Sequence, residues 1–90
     1  MQKKRSRLDI VADMLTVIRQ KNGEIKPTHL MYRSNLAHGQ MQSYLEELVQ
    51  KQFVRKVQRS DREYIVITDN GLAFLRKVEE MREFEKGFAL

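Results

Sequence analysis

Apolar residues recur at helical spacing over most of this 90-residue chain and alternate with polar ones over a single stretch near its centre. Ser6 followed by Asp9 resembles a capping box with a short acid in place of Glu, and it opens the run RLDIVADMLTVIRQK. Leu8, Val11, Leu15 and Ile18 form one stripe of this first helix. Ile10, Met14 and Val17 widen the apolar arc beyond what one neighbour covers. Asn22-Gly23 ends the helix, because both residues tolerate a left-handed backbone. Glu24-Ile25-Lys26 is short and extended, and Pro27 suits the first turn of a second helix, THLMYRS. After a tight turn at Asn35-Leu36-Ala37 comes HGQMQSYLEELVQKQ, a third helix with Met41, Leu45 and Leu48 on its apolar face.

The period then changes. Phe53 to Val57 and Tyr64 to Thr68 are β-rich and flank the polar segment QRSDRE, which predicts a hairpin. Thr68 caps a last helix, DNGLAFLRKVEEMREFEKGF, with Asp69 at the positive end of its dipole. The expected fold class is mainly α with a small β-hairpin: a winged helix-turn-helix over residues 1–67 with a basic N-terminal arm, followed by a dimerisation helix over residues 68–90.

Composition and charge narrow the function. Apolar residues make up 41% of the chain and charged ones 32%, enough to bury one core. With no cysteine, neither disulfides nor thiolate metal sites are available. No segment approaches the ~18 consecutive apolar residues of a membrane span, and the basic start lacks a signal peptide's apolar run, so a cytoplasmic protein without a membrane partner is expected. Residues 1–67 carry 13 Lys and Arg against 7 Asp and Glu, while residues 68–90 carry 4 against 5. The basic surplus therefore belongs to the body, where it suits a polyanion.

In a winged helix-turn-helix the third helix enters the major groove and the hairpin touches the flanking backbone. The exposed start of that helix carries His38, Gly39, Gln40, Gln42 and Ser43. The glutamine amides can pair with an adenine edge, Ser43 with a base or a phosphate, and Gly39 lets helix N–H groups approach a phosphate. Thr28 and Arg33 on the second helix join this candidate DNA-binding set. Lys56, Arg59 and Arg62 supply the hairpin, with Arg55 beside them, and Lys3, Lys4, Arg5 and Arg7 form a flexible basic arm. Glu46 and Glu47 keep a duplex from lying along the whole third helix.

In the last helix Phe74, Val78, Met81 and Phe88 follow a spacing of four, three and seven, close to a coiled-coil seam, with Phe84 adjoining. About 18 residues span roughly 27 Å at 1.5 Å per residue, so the far half projects beyond the body. A homodimer made by an antiparallel helix pair would cover this seam together with Ile10, Met14 and Val17. The alternative is that the helix folds back on the first helix of its own chain.

The stretches KKRSRLDIVADMLTVI, KPTHLMYRSNLAHGQMQSYLEELVQKQFV and YIVITDNGLAFL resemble the archaeal winged-helix proteins typified by the ten-kilodalton chromatin protein Sso-ten-a. The resemblance covers nearly the whole chain. It implies a transcriptional regulator or nucleoid-associated protein that binds double-stranded DNA and dimerises through an antiparallel C-terminal coiled coil. The chain departs from the family at Ala37, where a capping Ser or Thr is usual, at Gln52, where Gly is usual, and in a short final helix.

An enzyme is not expected: His29 and His38 lack metal-ligand spacing, and there is no GxxxxGK phosphate loop and no thiol. No cofactor and no small-molecule ligand is implied. The rival reading is a winged helix that docks another protein without touching DNA. RNA binding is less favoured, since no aromatic residue lies on the exposed face of the third helix for base stacking.

Overall fold

A computed structural model describes residues 4–88 as α1 (Arg7–Gln20), β1 (Glu24–Ile25), α2 (Pro27–Arg33), α3 (His38–Gln50), β2 (Val54–Arg59), β3 (Arg62–Ile67) and α4 (Asp69–Phe88). The order of elements is the one the pattern predicts, four helices with a hairpin, and the short β1 joins the hairpin to make a three-stranded antiparallel sheet of order β1-β3-β2. Lys3, assigned to the basic arm, lies outside the described residues. No helix among those described is long and apolar enough to cross a membrane.

Helix α1 starts on the expected capping box: the Ser6 hydroxyl accepts the Asp9 N–H at 3.0 Å, and the Asp9 carboxylate accepts the Ser6 N–H at 3.0 Å. Three helices then end in one way. Asn22, Asn35 and Gln52 hold φ of 63°, 56° and 61°, each just past a helix. In each case the next N–H returns to a carbonyl inside the helix: Gly23 to Ile18, Leu36 to Met31, and Phe53 to Leu48. This is the Schellman closure, which satisfies carbonyls that would otherwise be orphaned. It stops α3 at Gln50, two residues before the end that the pattern suggests. Gln52 thus sits in the left-handed region that its Cβ disfavours, where glycine is at home.

The hairpin is longer and its turn tighter than the sequence suggests. Pairing runs from Val54 opposite Ile67 out to Arg59 opposite Arg62, leaving a turn of only Ser60 and Asp61. Ser60 takes the positive φ, 53°, that a two-residue hairpin turn demands. Most of the polar segment read as a loop is therefore strand. Beyond Val57 and Tyr64 both faces are exposed, so the ladder continues without the alternation that marks a half-buried strand.

The core forms around α1, in which Ile10, Val11, Ala12, Met14, Leu15, Val17 and Ile18 are all buried. Helices α2 and α4 and the sheet all pack on it. Ile10, Met14, Val17 and Val78, expected at a dimer interface, are instead core of a single chain, with Met14 at 0% and Val78 at 3% exposure. The reason is that α4 folds back across α1. Phe74, assigned to the same interface, is half-buried and stacks on Phe53 with ring centroids 4.6 Å apart.

Helix α4 begins at a tightly knit junction. The Thr68 hydroxyl accepts the Gly71 N–H at 3.0 Å and donates to the Gln52 carbonyl at 2.5 Å, while the Thr68 N–H donates to the Phe53 carbonyl at 3.0 Å. A Cβ on Gly71 would lie 2.2 Å from that same Phe53 oxygen, so only glycine lets the helix come this close. Farther along, Arg19 grips Glu79 through two bonds of 3.0 and 2.7 Å, and Arg82 reaches Asp9 at 2.8 Å. Burial of Leu75 and Val78 contributes about 1.5–3 kcal/mol each, against about 0–1 kcal/mol for a surface ion pair, so packing docks α4 and the pairs orient it. Past Val78 the apolar side chains emerge again: Met81, Phe84 and Phe88 are 44%, 67% and 71% exposed.

Two glycine exchanges on either side of this junction are expected to act in opposite directions. Gly71→Ala destabilises by about 1–3 kcal/mol, since the added methyl meets backbone. Gln52→Gly stabilises by about 0.5–1 kcal/mol, since it relieves a positive φ. Thermal melts of the two variants check both signs.

The ion pairs also give α4 a pH dependence. Glu79 is held below its ordinary pKa by its hydrogen bond to Arg19, and Asp9 by the Ser6 N–H, with Arg82 adding to the effect. A carboxylate depressed in the folded state adds stability above its unfolded pKa of ~4, and that stability is lost as pH falls through the folded value. Amide exchange of residues 79–88, referenced to the intrinsic rate, is expected to speed up below pH ~4 before the α1 core opens.

Candidate nucleic-acid interface

The start of α3 is set by a cap that is only half made. Ala37 at the N-cap has no side-chain acceptor, so the first-turn N–H groups of His38, Gly39 and Gln40 receive nothing from it. The reciprocal half is present: the Gln40 Oε1 accepts the Ala37 N–H at 3.1 Å. Gln40 therefore has its carbonyl committed to the helix, leaving its NH2 group outward. His38, Gly39, Gln42 and Ser43 are exposed, whereas Met41, Leu45 and Leu48 face the core. Space around a Cβ on Gly39 is open, so no internal contact requires a glycine there. A small cleft of about 80 Å³ between α2 and α3 brings Thr28, His38 and Gln42 to one place, with Met31 and Met41 at its base.

The wing distributes its cations unevenly. Arg55 and Arg62 lie on its outer face, with Val57 and Tyr64 between them, while Lys56 lies on the opposite face, beyond the core. All three are exposed and take part in no ion pair among the described residues. Arg59 differs. Its guanidinium lies over the Tyr64 ring, 5.1 Å from the centroid, and binds both carboxylate oxygens of Glu24 on β1. That hydrogen-bonded pair holds the Glu24 carboxyl below its usual range and raises the Arg59 pKa. The side chain folds back along the sheet instead of standing off the tip.

Arg5 is no part of a flexible arm. It donates to Asp13 at 3.1 Å and to the carbonyls of Ser34 and Asn35 at 2.9 and 3.0 Å, tying the entry of α1 to the turn between α2 and α3. Because a guanidinium carries five donors, one side chain can satisfy both end carbonyls and a carboxylate. Lys4 is exposed, as is Arg33, which borders a cleft with Arg5 and Asp13.

Across the described residues, carboxylates are neutralised in ion pairs at Asp9, Asp13, Glu24, Glu47, Glu79, Glu80 and Glu83. Among the described residues the cations outside such pairs are Lys4, Lys21, Lys26, Arg33, Arg55, Lys56, Arg62 and Arg76, of which all but Lys4 and Arg76 lie on α2, in the segment before it, or on the wing; the carboxylates outside them are Glu46, Asp61, Glu63, Asp69 and Glu85. The six on α2, the segment before it and the wing precede and follow α3 in the chain, and the start of α3 is itself uncharged. Lys21 and Lys26 escape the sequence reading, as does Tyr32, which is 75% exposed on α2. Lys26 sits at the N-cap of α2, directly before Pro27, a position the proline itself marks.

Comparison with known proteins agrees with this architecture. The family model described as winged helix-turn-helix matches residues 4–86. The uncharacterized protein MJ0290 of Methanocaldococcus jannaschii is 33% identical over 78 residues, which are 87% of this chain and 34% of that protein, so the chain spans about a third of that relative's length. Among solved structures, Sso10a-2, a DNA-binding protein from Sulfolobus solfataricus, superposes with a TM-score of 0.78 at 23% identity, covering 93% of this chain and 85% of its own. F93 from STIV, a winged-helix DNA-binding protein, gives 0.76 at 14% identity, covering 89% and 92%. At these identities the two structures speak for the fold alone. Matched over almost its whole length, the chain belongs to the winged helix-turn-helix family.

Proposed function

We propose that this chain is a DNA-binding protein, a transcriptional regulator or nucleoid-associated protein of the cytoplasm, that holds duplex DNA as a homodimer. In this reading the start of α3 enters the major groove, Gln42 and Ser43 meet base edges, and the unfilled first-turn N–H groups at Gly39 receive a phosphate. Thr28, Lys26 and Arg33 on one side and Arg55, Lys56 and Arg62 on the other hold the backbone. One observation carries the proposal: seven of the twelve carboxylates are held in internal ion pairs, while the elements that precede and follow α3 in the chain keep unpaired cations and the start of α3 itself is polar and uncharged. A surface made only for solubility has no reason to sort its charges that way. That Sso10a-2 and F93 are described as DNA-binding supports the same reading.

Residues 1–67 then serve as the DNA-binding unit and the helix from residue 68 onward as the dimer contact. Its first half is spent on the chain's own core. Met81, Phe84 and Phe88 supply the surface for a partner.

Arg59 is held in reserve. A carboxylate occupies the guanidinium fork that a DNA phosphate would take, and a solvent-exposed pair of this kind is weak enough to exchange partners.

Duplex DNA is expected to be retarded at low salt, with log K falling linearly in log salt by about 0.9 per phosphate contact. No shift at low salt sinks the proposal. Arg62→Ala should make that slope shallower by about 0.9, and Glu24→Gln, which frees Arg59, should steepen it by a similar amount. Gln42→Ala and Ser43→Ala should change which sequences are preferred while leaving the salt slope in place, as read in a competition assay over a randomised duplex pool.

A further inference from the structure

An open groove of about 210 Å³ lies where the first turns of α1 meet the end of α3 and the start of α4. Its floor is apolar, made by Leu8, Leu48 and the stacked pair Phe53 and Phe74, and its rim is basic, with Arg7 and Lys51 both drawn to Glu47. Sites for drug-sized ligands run from about 300 to 1,000 Å³, so this one has room for little more than one aromatic side chain. At the far end of α4 is a matching key. Phe88 is 71% exposed and leans on Phe84, at 4.7 Å between ring centroids. Glu85, one turn before it, is the one carboxylate of residues 79–88 outside any ion pair among the described residues.

We infer that the groove of one subunit receives Phe88 from a second copy of the chain. The spacing of α4 provides the geometry. Phe74, Met81 and Phe88 are seven residues apart and so lie on one face of the helix. If two copies of α4 pack antiparallel about a two-fold axis at Met81, Phe88 falls roughly 10.5 Å along the helix from the axis and directly opposite the partner subunit's Phe74. The incoming ring extends the Phe53–Phe74 stack, and Glu85 arrives beside the basic rim. Charge and shape agree on the same occupant. Because Leu48 and Lys51 belong to α3, the joint touches the recognition helix itself and not only the helix that carries the dimer. This inference rests on the homodimer proposed above and adds where its helix end is seated.

The chain contains neither cysteine nor tryptophan, so both probes can be introduced uniquely. Light scattering of the unaltered chain comes first: a monomer at all concentrations removes the dimer, and the seat with it. Given a dimer, Leu8→Cys protein mixed with Phe88→Cys protein and mildly oxidised should yield a covalent heterodimer, while each variant oxidised alone should yield little. A dimer that gives no 8-to-88 link, or in which Phe88→Cys alone links as readily, has its helix end elsewhere and overturns the inference while the dimer stands. Phe88→Trp offers a second readout: its emission should be blue-shifted in the dimer and move to the red on dilution to monomer. Emission typical of a water-exposed indole in the dimer also overturns the inference.

Discussion

Everything in this fold answers to the breadth of the apolar face of α1, which takes up more than half of the helix's circumference. Seven of its fourteen residues are buried, and Met14, Leu15 and Ile18 have no exposed surface. A helix of that kind cannot sit at the edge of a layer, because no single neighbour covers more than one side. The chain resolves this by wrapping: α2 and the sheet take some sides, and α4, arriving last, closes the rest. The packing of α4 is therefore a requirement of the core before it is anything else. Its outer half is free for a partner only because its inner half already has one.

Much of this was legible in the sequence. Helix starts were marked by chemistry that works locally, as with Ser6 and Asp9, Pro27 and Thr68, and local signals survive folding. The order of elements and the polar face of α3 followed from period alone. What sequence could not apportion was apolar surface between a chain and its partner. Val78 and Met81 sit one turn apart on the same seam, yet one is core and the other surface, and only the crossing of α4 over α1 separates them. Long-range electrostatics were equally hidden. Arg5 and Arg59 look like free cations in sequence, and their carbonyl and carboxylate acceptors lie 29 and 35 residues away.

Those hidden pairs change how the surface is to be understood. A net charge of +5 says only that the protein as a whole favours polyanions. The pairing pattern says where: Asp9 and Asp13 of α1 and Glu79 of α4 are answered by arginines within the chain, whereas Arg33 of α2 and Arg55, Lys56 and Arg62 of the wing stand outside any ion pair among the described residues. The incomplete cap at Ala37 belongs to the same economy. A serine there would accept a first-turn N–H internally, and the alanine leaves those N–H groups free to donate to whatever meets the positive end of the helix.

The missing methyl at Gly71 reaches further than its own contact. Because the start of α4 rests against the Phe53 carbonyl, the helix leaves the body from a fixed seat and not from a flexible linker, and the packing and ion pairs farther along hold its direction from there. In any assembly joined through α4, the distance between the two copies of α3 is measured from this point outward along a stiff rod. A tilt of ten degrees at the base would move the rod's far end by roughly 5 Å over about 30 Å of helix. That is more than one base-pair step of duplex, so a single atom at the foot of the helix sets the ruler with which two such subunits would read DNA.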